Sequence, residues 1–206
     1  MKKITLLLGF IALFFTSIQI QAQAIDEPAG WPNAAWTVEG NFTASALSSD
    51  PRTTENFSFD DNAAGSGSLF DVIAAVSPVI DLTPATTAVP AELEIFVLVD
   101  YTFTSSGDAL TLDWYNNDTH LWQNWYTFQQ NATNLDYETC DNLQTVSSTA
   151  LNIAGFSPGQ LANFQYRITF NDNGHTWGMC FGSPTLSSQE TPLCFNVSNI
   201  ASRCCS

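Results

Sequence analysis

Positive charge is almost missing from this chain. Its 206 residues hold 5 Lys+Arg against 20 Asp+Glu. Lys2 and Lys3 are the only lysines, so beyond the N-terminus the cations are Arg52, Arg167 and Arg203. Nucleic-acid affinity rests on Lys and Arg neutralising phosphates, which excludes that partner class. The same shortage disfavours docking on anionic lipid. Histidine is scarce too, at His120 and His175, and no CxxC or Cys/His set suggests zinc. No G-x-S-x-G context accompanies either histidine. Beyond the first 24 residues no run approaches the ~20 apolar residues that span a bilayer. No internal repeat and no convincing helical period is seen. Disorder is excluded as well, because 45% hydrophobic against 12% charged residues is a core-forming balance.

What is present begins with a targeting signal. Lys2-Lys3 is a basic start, Ile4 to Phe15 is an apolar stretch, and Ala22-Gln23-Ala24 is a small-x-small cleavage site. Residues 1–24 therefore read as a secretory signal peptide, and the protein is expected to be secreted, extracellular or at the cell surface. The first cysteine is Cys140, so a lipid-anchored cysteine directly after cleavage is excluded. Without the signal, three arginines face twenty acids, a formal charge of −17. Such a surface repels anionic polymers and attracts cations such as Ca²⁺.

An exported chain meets an oxidising environment, where disulfides are the default. The cysteines are Cys140, Cys180, Cys194, Cys204 and Cys205. Cys140 with Cys180 is the best pair within the domain, and Cys180 with Cys194 competes. An odd count leaves at least one thiol unpaired or paired outside the chain. The adjacent pair Cys204-Cys205 has no structural account.

The dominant pattern is alternation with period two, the mark of half-buried strands. Phe164, Tyr166, Ile168 and Phe170 alternate with Asn163, Gln165, Arg167 and Thr169. Leu93 to Phe103 forms another apolar face, and Leu110, Leu112 and Trp114 a third. Trp122, Tyr126 and Phe128 are read as facing inward beside Gln123 and Thr127. Turn residues separate the runs, at Ser105–Asp108, Asn116–Asp118, Ser157–Gly159 and Asn171–Gly174 among others. Roughly eight to ten strands in about 180 residues predict an all-β, two-sheet antiparallel sandwich over residues 25–187. Asn131 to Ser148 is polar, lacks alternation and reads as a long loop. Residues 188–206 read as a linker running into another strand.

Certain segments, in this order, resemble a known family. Phe59-Asp60-Asp61-Asn62 with Gly65-Ser66-Gly67 is followed by Ser77-Pro78-Val79-Ile80-Asp81-Leu82. Later come Phe164–Phe170 and then Asn171-Asp172-Asn173-Gly174 with Trp177-Gly178. Together they look like the MAM-like and cleaved-adhesin jelly-roll domains of secreted bacterial surface proteins. The resemblance covers about residues 31–187. It implies a concanavalin-like jelly roll, one module of a longer multidomain protein, serving adhesion, matrix or glycan contact and often holding Ca²⁺. The Cys194 segment is similar to the start of a fibronectin-III-like module, which implies a truncated neighbour. The chain departs from the family pattern after Gly178. No carboxylate occurs between Met179 and Pro184, and Gly182 lies in that run, so a family calcium ligand there is in doubt.

Three constellations carry chemistry. Asp60, Asp61 and Asn62 with Asn171, Asp172 and Asn173 supply the clustered oxygens that calcium needs, although the same residues also make plain turns. Tyr115 and Trp125 are expected on one outer surface, with Asp113, Gln123 and Asn124, as a sugar-binding face; burial under a loop is the alternative. Glu92 and Glu94 share a strand face as a retaining glycosidase pair would, but beside Pro90 they suit a solvated face. No catalytic residue is assigned. The reading is a non-catalytic adhesion or glycan-binding module, possible partners being a polysaccharide, a glycoprotein or a matrix protein. A carbohydrate-active hydrolase or its accessory domain is the alternative, and a structural spacer the second.

Overall fold

The computed structural model describes residues 25, 30–60, 63, 70–87, 91–101, 109–128, 140, 143–174 and 178–188. The signal segment, Asp61, Asn62, His175 and the three C-terminal cysteines lie outside them.

Twelve strands form among the described residues, and every pairing is antiparallel. They are β1 (Thr37–Asn41), β2 (Leu47–Ser49), β3 (Asn56–Asp60), β4 (Val72–Val76), β5 (Glu92–Tyr101) and β6 (Ala109–Asn116). They continue with β7 (Leu121–Thr127), β8 (Gln144–Ser147), β9 (Leu151–Asn152), β10 (Tyr166–Asn171), β11 (Gly178–Gly182) and β12 (Thr185–Ser188). One sheet has five strands in the order β1-β4-β10-β6-β7. The other has seven, built around β5. Val99 pairs with both Phe181 and Gln144, and Leu93 with both Ser188 and Leu151. β11 and β12 therefore flank one side of β5, and β8 and β9 the other.

The sandwich forms because alternation gives each sheet one apolar face. β10 is the plainest case, with Tyr166, Ile168 and Phe170 fully buried and Arg167, Thr169 and Asn171 less so. From the seven-stranded sheet come Phe57, Phe59, Ile95, Val97, Val99, Met179 and Phe181. They meet Trp36, Ile73, Leu110, Leu112 and the β10 trio from the five-stranded sheet. Ring pairs bridge the layers, Phe59 to Phe170 at 5.7 Å and Trp36 to Tyr166 at 5.6 Å. Each large side chain buried this way contributes about 1.5–3 kcal/mol. At Gly40 the β1 backbone comes so close to β4 that a Cβ would lie 2.0 Å from the Val72 carbonyl oxygen.

Cys140 and Cys180 are joined in a disulfide, Cα–Cα 5.6 Å, as their placement in a loop and a late strand suggested. Met179 and Phe181 point into the core, so Cys180 faces the outside of its sheet. Cys180 and its register partner Ser58 are nonetheless fully buried, so this outer face is covered there. A bond of this kind contributes about 2–4 kcal/mol.

Several expectations are corrected. The strand count exceeds eight to ten, because β2 is too short to show a period in sequence and β8 lies in the stretch read as a loop. The long polar stretch is not loop throughout: its end forms β8, paired with β5, although only Val146 packs toward the core. Ser157-Pro158-Gly159 is not a turn but the start of a short helix, α1 (Pro158–Ala162), with a capping box. Ser157 Oγ accepts from Gln160 N, and Gln160 Oε1 accepts from Ser157 N. Pro184 sits in the break where β11 ends and before β12 begins, so no ladder N–H is required of it.

Candidate functional site

The outer face of the five-stranded sheet gathers most of the polar and aromatic residues singled out from the sequence. On β6, Leu110 and Leu112 point inward, which leaves Thr111, Asp113 and Tyr115 outside. On β10 the same logic puts Arg167 outside. On β7 the simple alternation fails. Leu112 pairs with Tyr126, but Asp113 pairs with Asn124, so Trp125 is an extra residue in a bulge. The bulge reverses the facing of every residue before it.

This reversal corrects three assignments. Trp125 does not face outward. It is 8% exposed, its ring meets Phe164 edge-on at 6.4 Å, and its Nε1 donates to the Thr149 carbonyl at 2.7 Å. Gln123 pairs with Trp114, whose ring stacks on Phe156 at the core side, so Gln123 is also on the other face. Trp122, expected inside, is the residue that takes the outer position. Its ring lies 5.1 Å from Tyr115, its register partner.

The outer cluster is held by a defined set of bonds. Asp113 Oδ2 accepts from Arg167 Nε at 3.0 Å and from Thr111 Oγ1 at 3.4 Å. Asp113 Oδ1 accepts from Asn124 Nδ2 at 3.3 Å. The Arg167 guanidinium sits over the Trp122 ring, 4.5 Å from its centroid, a cation–π contact. Only Nε of Arg167 is committed to the carboxylate among the described residues. The result is a half-buried indole and phenol beside a neutralised ion pair and an exposed carboxamide.

The turn below this cluster is braced. Residues 117–120 join β6 to β7, and the α1 segment packs against them. Ser157 Oγ donates to Asp118 Oδ1 at 2.9 Å, Gln160 Nε2 to Asn116 Oδ1 at 2.9 Å, and Asn117 Nδ2 to the Asn163 carbonyl at 2.7 Å. The aromatic pair therefore stands on fixed backbone, which lowers the ordering cost of binding.

The opposite end of the sandwich carries buried acids. Asp60 closes β3 at 5% exposure, Asp172 follows β10 at 0%, and Asp71 precedes β4 at 3%. Asp172 Oδ1 accepts from Asp71 N at 2.9 Å and Gly174 N at 2.8 Å, and Asp172 N donates to Asp71 O at 3.1 Å. Asn171 Oδ1 accepts from Asn173 N at 2.9 Å, a turn bond. Asp71 Oδ1 accepts from Thr43 N, while its Oδ2 is buried with no hydrogen-bond partner among the described residues. Asp71 was not singled out from the sequence; only its acid type beside Phe70 marked it. Among the described residues no three His, Cys, Asp or Glu are grouped to hold a metal. Asp61 and Asn62 lie outside the described residues.

Glu92 and Glu94 do share a face of β5, but Glu94 accepts from Ser147 Oγ at 2.6 Å. Their pairing partners are Asn152 and Ser187, so neither has a carboxylate directly opposite it in these pairings. His120 is exposed at the end of the β6–β7 turn. No helix among the described residues is long and apolar enough to cross a membrane.

No protein-family model matches the chain, and no curated protein does. Solved structures are similar to it in fold. One is the K1 cleaved adhesin domain of Lys-gingipain from Porphyromonas gingivalis W83, at 10% identity and TM-score 0.43, covering 79% of this chain and 95% of that one. The K3 domain of the same protein gives 9% identity and TM-score 0.45, covering 78% and 94%. The CBM22-1 xylan-binding domain from Paenibacillus barcinonensis Xyn10C gives 11% identity and TM-score 0.37, covering 82% and 99%. These likenesses concern the backbone arrangement alone.

Proposed function

We propose that this chain is a non-catalytic, exported binding module. The outer face of its five-stranded sheet takes a neutral glycan, as a polysaccharide or the glycan of a surface or matrix glycoprotein. The observation that carries the reading is the braced cluster of Tyr115, Trp122, Asp113, Arg167 and Asn124. Aromatic rings offer apolar faces to sugar rings, and the carboxamide and guanidinium N–H groups offer donors to hydroxyls. The ion pair is self-neutralised and the chain is strongly acidic, which disfavours acidic polymers. The Lys2-to-Ala24 signal supports export.

The test is affinity electrophoresis of the full mature chain in gels containing soluble neutral β-glucan, xylan or mannan. Retardation by at least one polymer that is lost in Trp122→Ala supports the reading. Absence of retardation in all of them overturns it.

A second reading concerns stability. Ca²⁺ is proposed at the acidic end, with Asp71 and Asp172 as its protein anchors and Asp60, Asp61, Asn62, Asn171 and Asn173 as further oxygen donors. The orphaned Asp71 Oδ2 supports it, since a buried carboxylate oxygen without a donor is costly unless a cation meets it.

A further inference from the structure

The two edges of the five-stranded sheet differ. On the β7 edge Thr149 covers the bulge. Its carbonyl accepts from Trp125 Nε1 at 2.7 Å, and its Oγ1 donates to the Trp125 carbonyl at 3.5 Å. On the other edge β1 pairs with β4 over all five residues without a register shift, and among the described residues no strand pairs on its outer side. Thr37, Glu39, Gly40 and Asn41 are exposed, while Val38 packs toward the core. In the other sheet β2, β8, β9 and β12 are at most four residues long, and edges that short resist pairing.

The ladder decides which backbone groups β1 leaves open. Antiparallel neighbours alternate between hydrogen-bonded and non-bonded pairs. Tyr115 N donates to the Gln165 carbonyl, so Arg167 and Thr169 bond to β6. Ser77 N donates to the Tyr166 carbonyl, so Ile168 and Phe170 bond to Ala75 and Ile73 of β4. Val76, Ala74 and Val72 are then the residues that bond to β1, through Thr37, Glu39 and Asn41. The N–H and C=O groups of Val38 and Gly40 are therefore directed away from β4, along the open edge.

Such an edge is a template for another strand. A second copy is a poor occupant. The fully overlapping antiparallel pair of two β1 strands sets Val38 opposite Gly40 and Glu39 opposite Glu39, and like charges directly opposite are destabilising. The strongly acidic chain adds to that repulsion. A Lys or Arg opposite Glu39 turns the same position into an attraction. We infer that β1 is a docking edge for an extended, cationic segment of another protein. The segment adds one strand to the sheet through the backbone of Val38 and Gly40, and sets a Lys or Arg opposite Glu39. β4 and β10 lie between this edge and the β6–β7 pair that carries Tyr115 and Trp122, so the edge works independently of the glycan face.

The experiment is amide hydrogen exchange, read by NMR on the full mature chain. Alone, Val38 and Gly40 should exchange fast while Thr37, Glu39 and Asn41 are protected. The probe is the synthetic peptide Thr-Thr-Val-Lys-Val-Thr-Thr at millimolar concentration, and the control carries Glu in place of Lys. The Lys peptide should slow exchange at Val38 and Gly40 at least tenfold, and the Glu peptide should not. Glu39→Lys should reverse that preference. Val38→Pro removes an N–H that β4 does not use and should abolish the protection of Gly40. Val38 and Gly40 already protected in the chain alone, no protection by the Lys peptide, or equal protection by both peptides overturns the proposal. So does protection of Gly40 that survives in Val38→Pro, which would mean attraction through charge alone. Protection that grows with protein concentration in the absence of peptide gives the edge to a second copy and overturns it too. Each of these outcomes leaves the glycan reading standing, since its cluster lies on other strands.

Discussion

The guanidinium of Arg167 rests over the indole of Trp122, 4.5 Å from the ring centroid, and spans the strand between them. Beneath it, Asp113 on that intervening strand holds the same arginine through Nε. Three neighbouring strands are thus tied by one cation. Arg167→Lys keeps the charge but loses the planar group that stacks and bonds together. It should weaken glycan binding about tenfold, a loss near 1.4 kcal/mol, and alter Trp122 fluorescence. Asp113→Asn should cost about 1–2 kcal/mol of unfolding free energy by urea titration. Unchanged stability would mean that the pair is a solvated surface contact.

Trp125 and Trp122 should behave oppositely. Trp125 fills the core and bonds Thr149, so Trp125→Ala should cost about 3–5 kcal/mol. Trp122→Ala should cost little stability and remove glycan binding. A melting-temperature comparison of the two variants, with binding measured on both, separates their roles. Equal destabilisation would place both rings in the core.

Thr169 lies between Ala74 and Thr111, and its Oγ1 is buried with no hydrogen-bond partner among the described residues. A shielded hydroxyl without a partner carries a desolvation cost of about 1–3 kcal/mol. Thr169→Val keeps the shape and removes the group. It should raise the urea midpoint without changing the slope. A lowered midpoint would show that the hydroxyl is satisfied in solution.

The acidic end predicts a calcium-dependent melt. Millimolar Ca²⁺ should raise the melting temperature of the full mature chain, and chelator should reverse it. At a hundred times Kd the gain is about 2.7 kcal/mol. Asp71→Asn should abolish the gain while leaving the melt in chelator unchanged or higher, because it replaces a buried carboxylate oxygen that has no donor among the described residues. If Asp71→Asn lowers both melts equally, Asp71 serves only to brace Thr43 N.

Much of this architecture is legible in the residues themselves. The alternation of Phe164 to Phe170 announces β10 and its buried face, and Arg167 on the outside follows from it. Leu110, Leu112 and Asp113 behave in the same way. The disulfide is legible because a loop cysteine and a late-strand cysteine have few competitors. What escapes is the bulge. Trp122, Trp125, Tyr126 and Phe128 fit alternation almost as well as they fit its interruption, and an error of one residue turns every side chain over. Asp71 escapes for another reason. Its partner Asp172 is 101 positions away, and no local pattern ties the two together.

The bond from Trp125 to Thr149 has a consequence for how this protein can change. The chain leaves β7 at Phe128 and returns in β8 just before Thr149, and the tryptophan ties those two points together. Phe128 is itself fixed by its N–H to the Leu110 carbonyl. Leu110, to which Phe128 is bonded, belongs to the five-stranded sheet, and Thr149 comes just after the strand paired with β5. One indole N–H therefore couples the edge of one sheet to the edge of the other, and a change that displaces either edge is carried to its counterpart through Trp125.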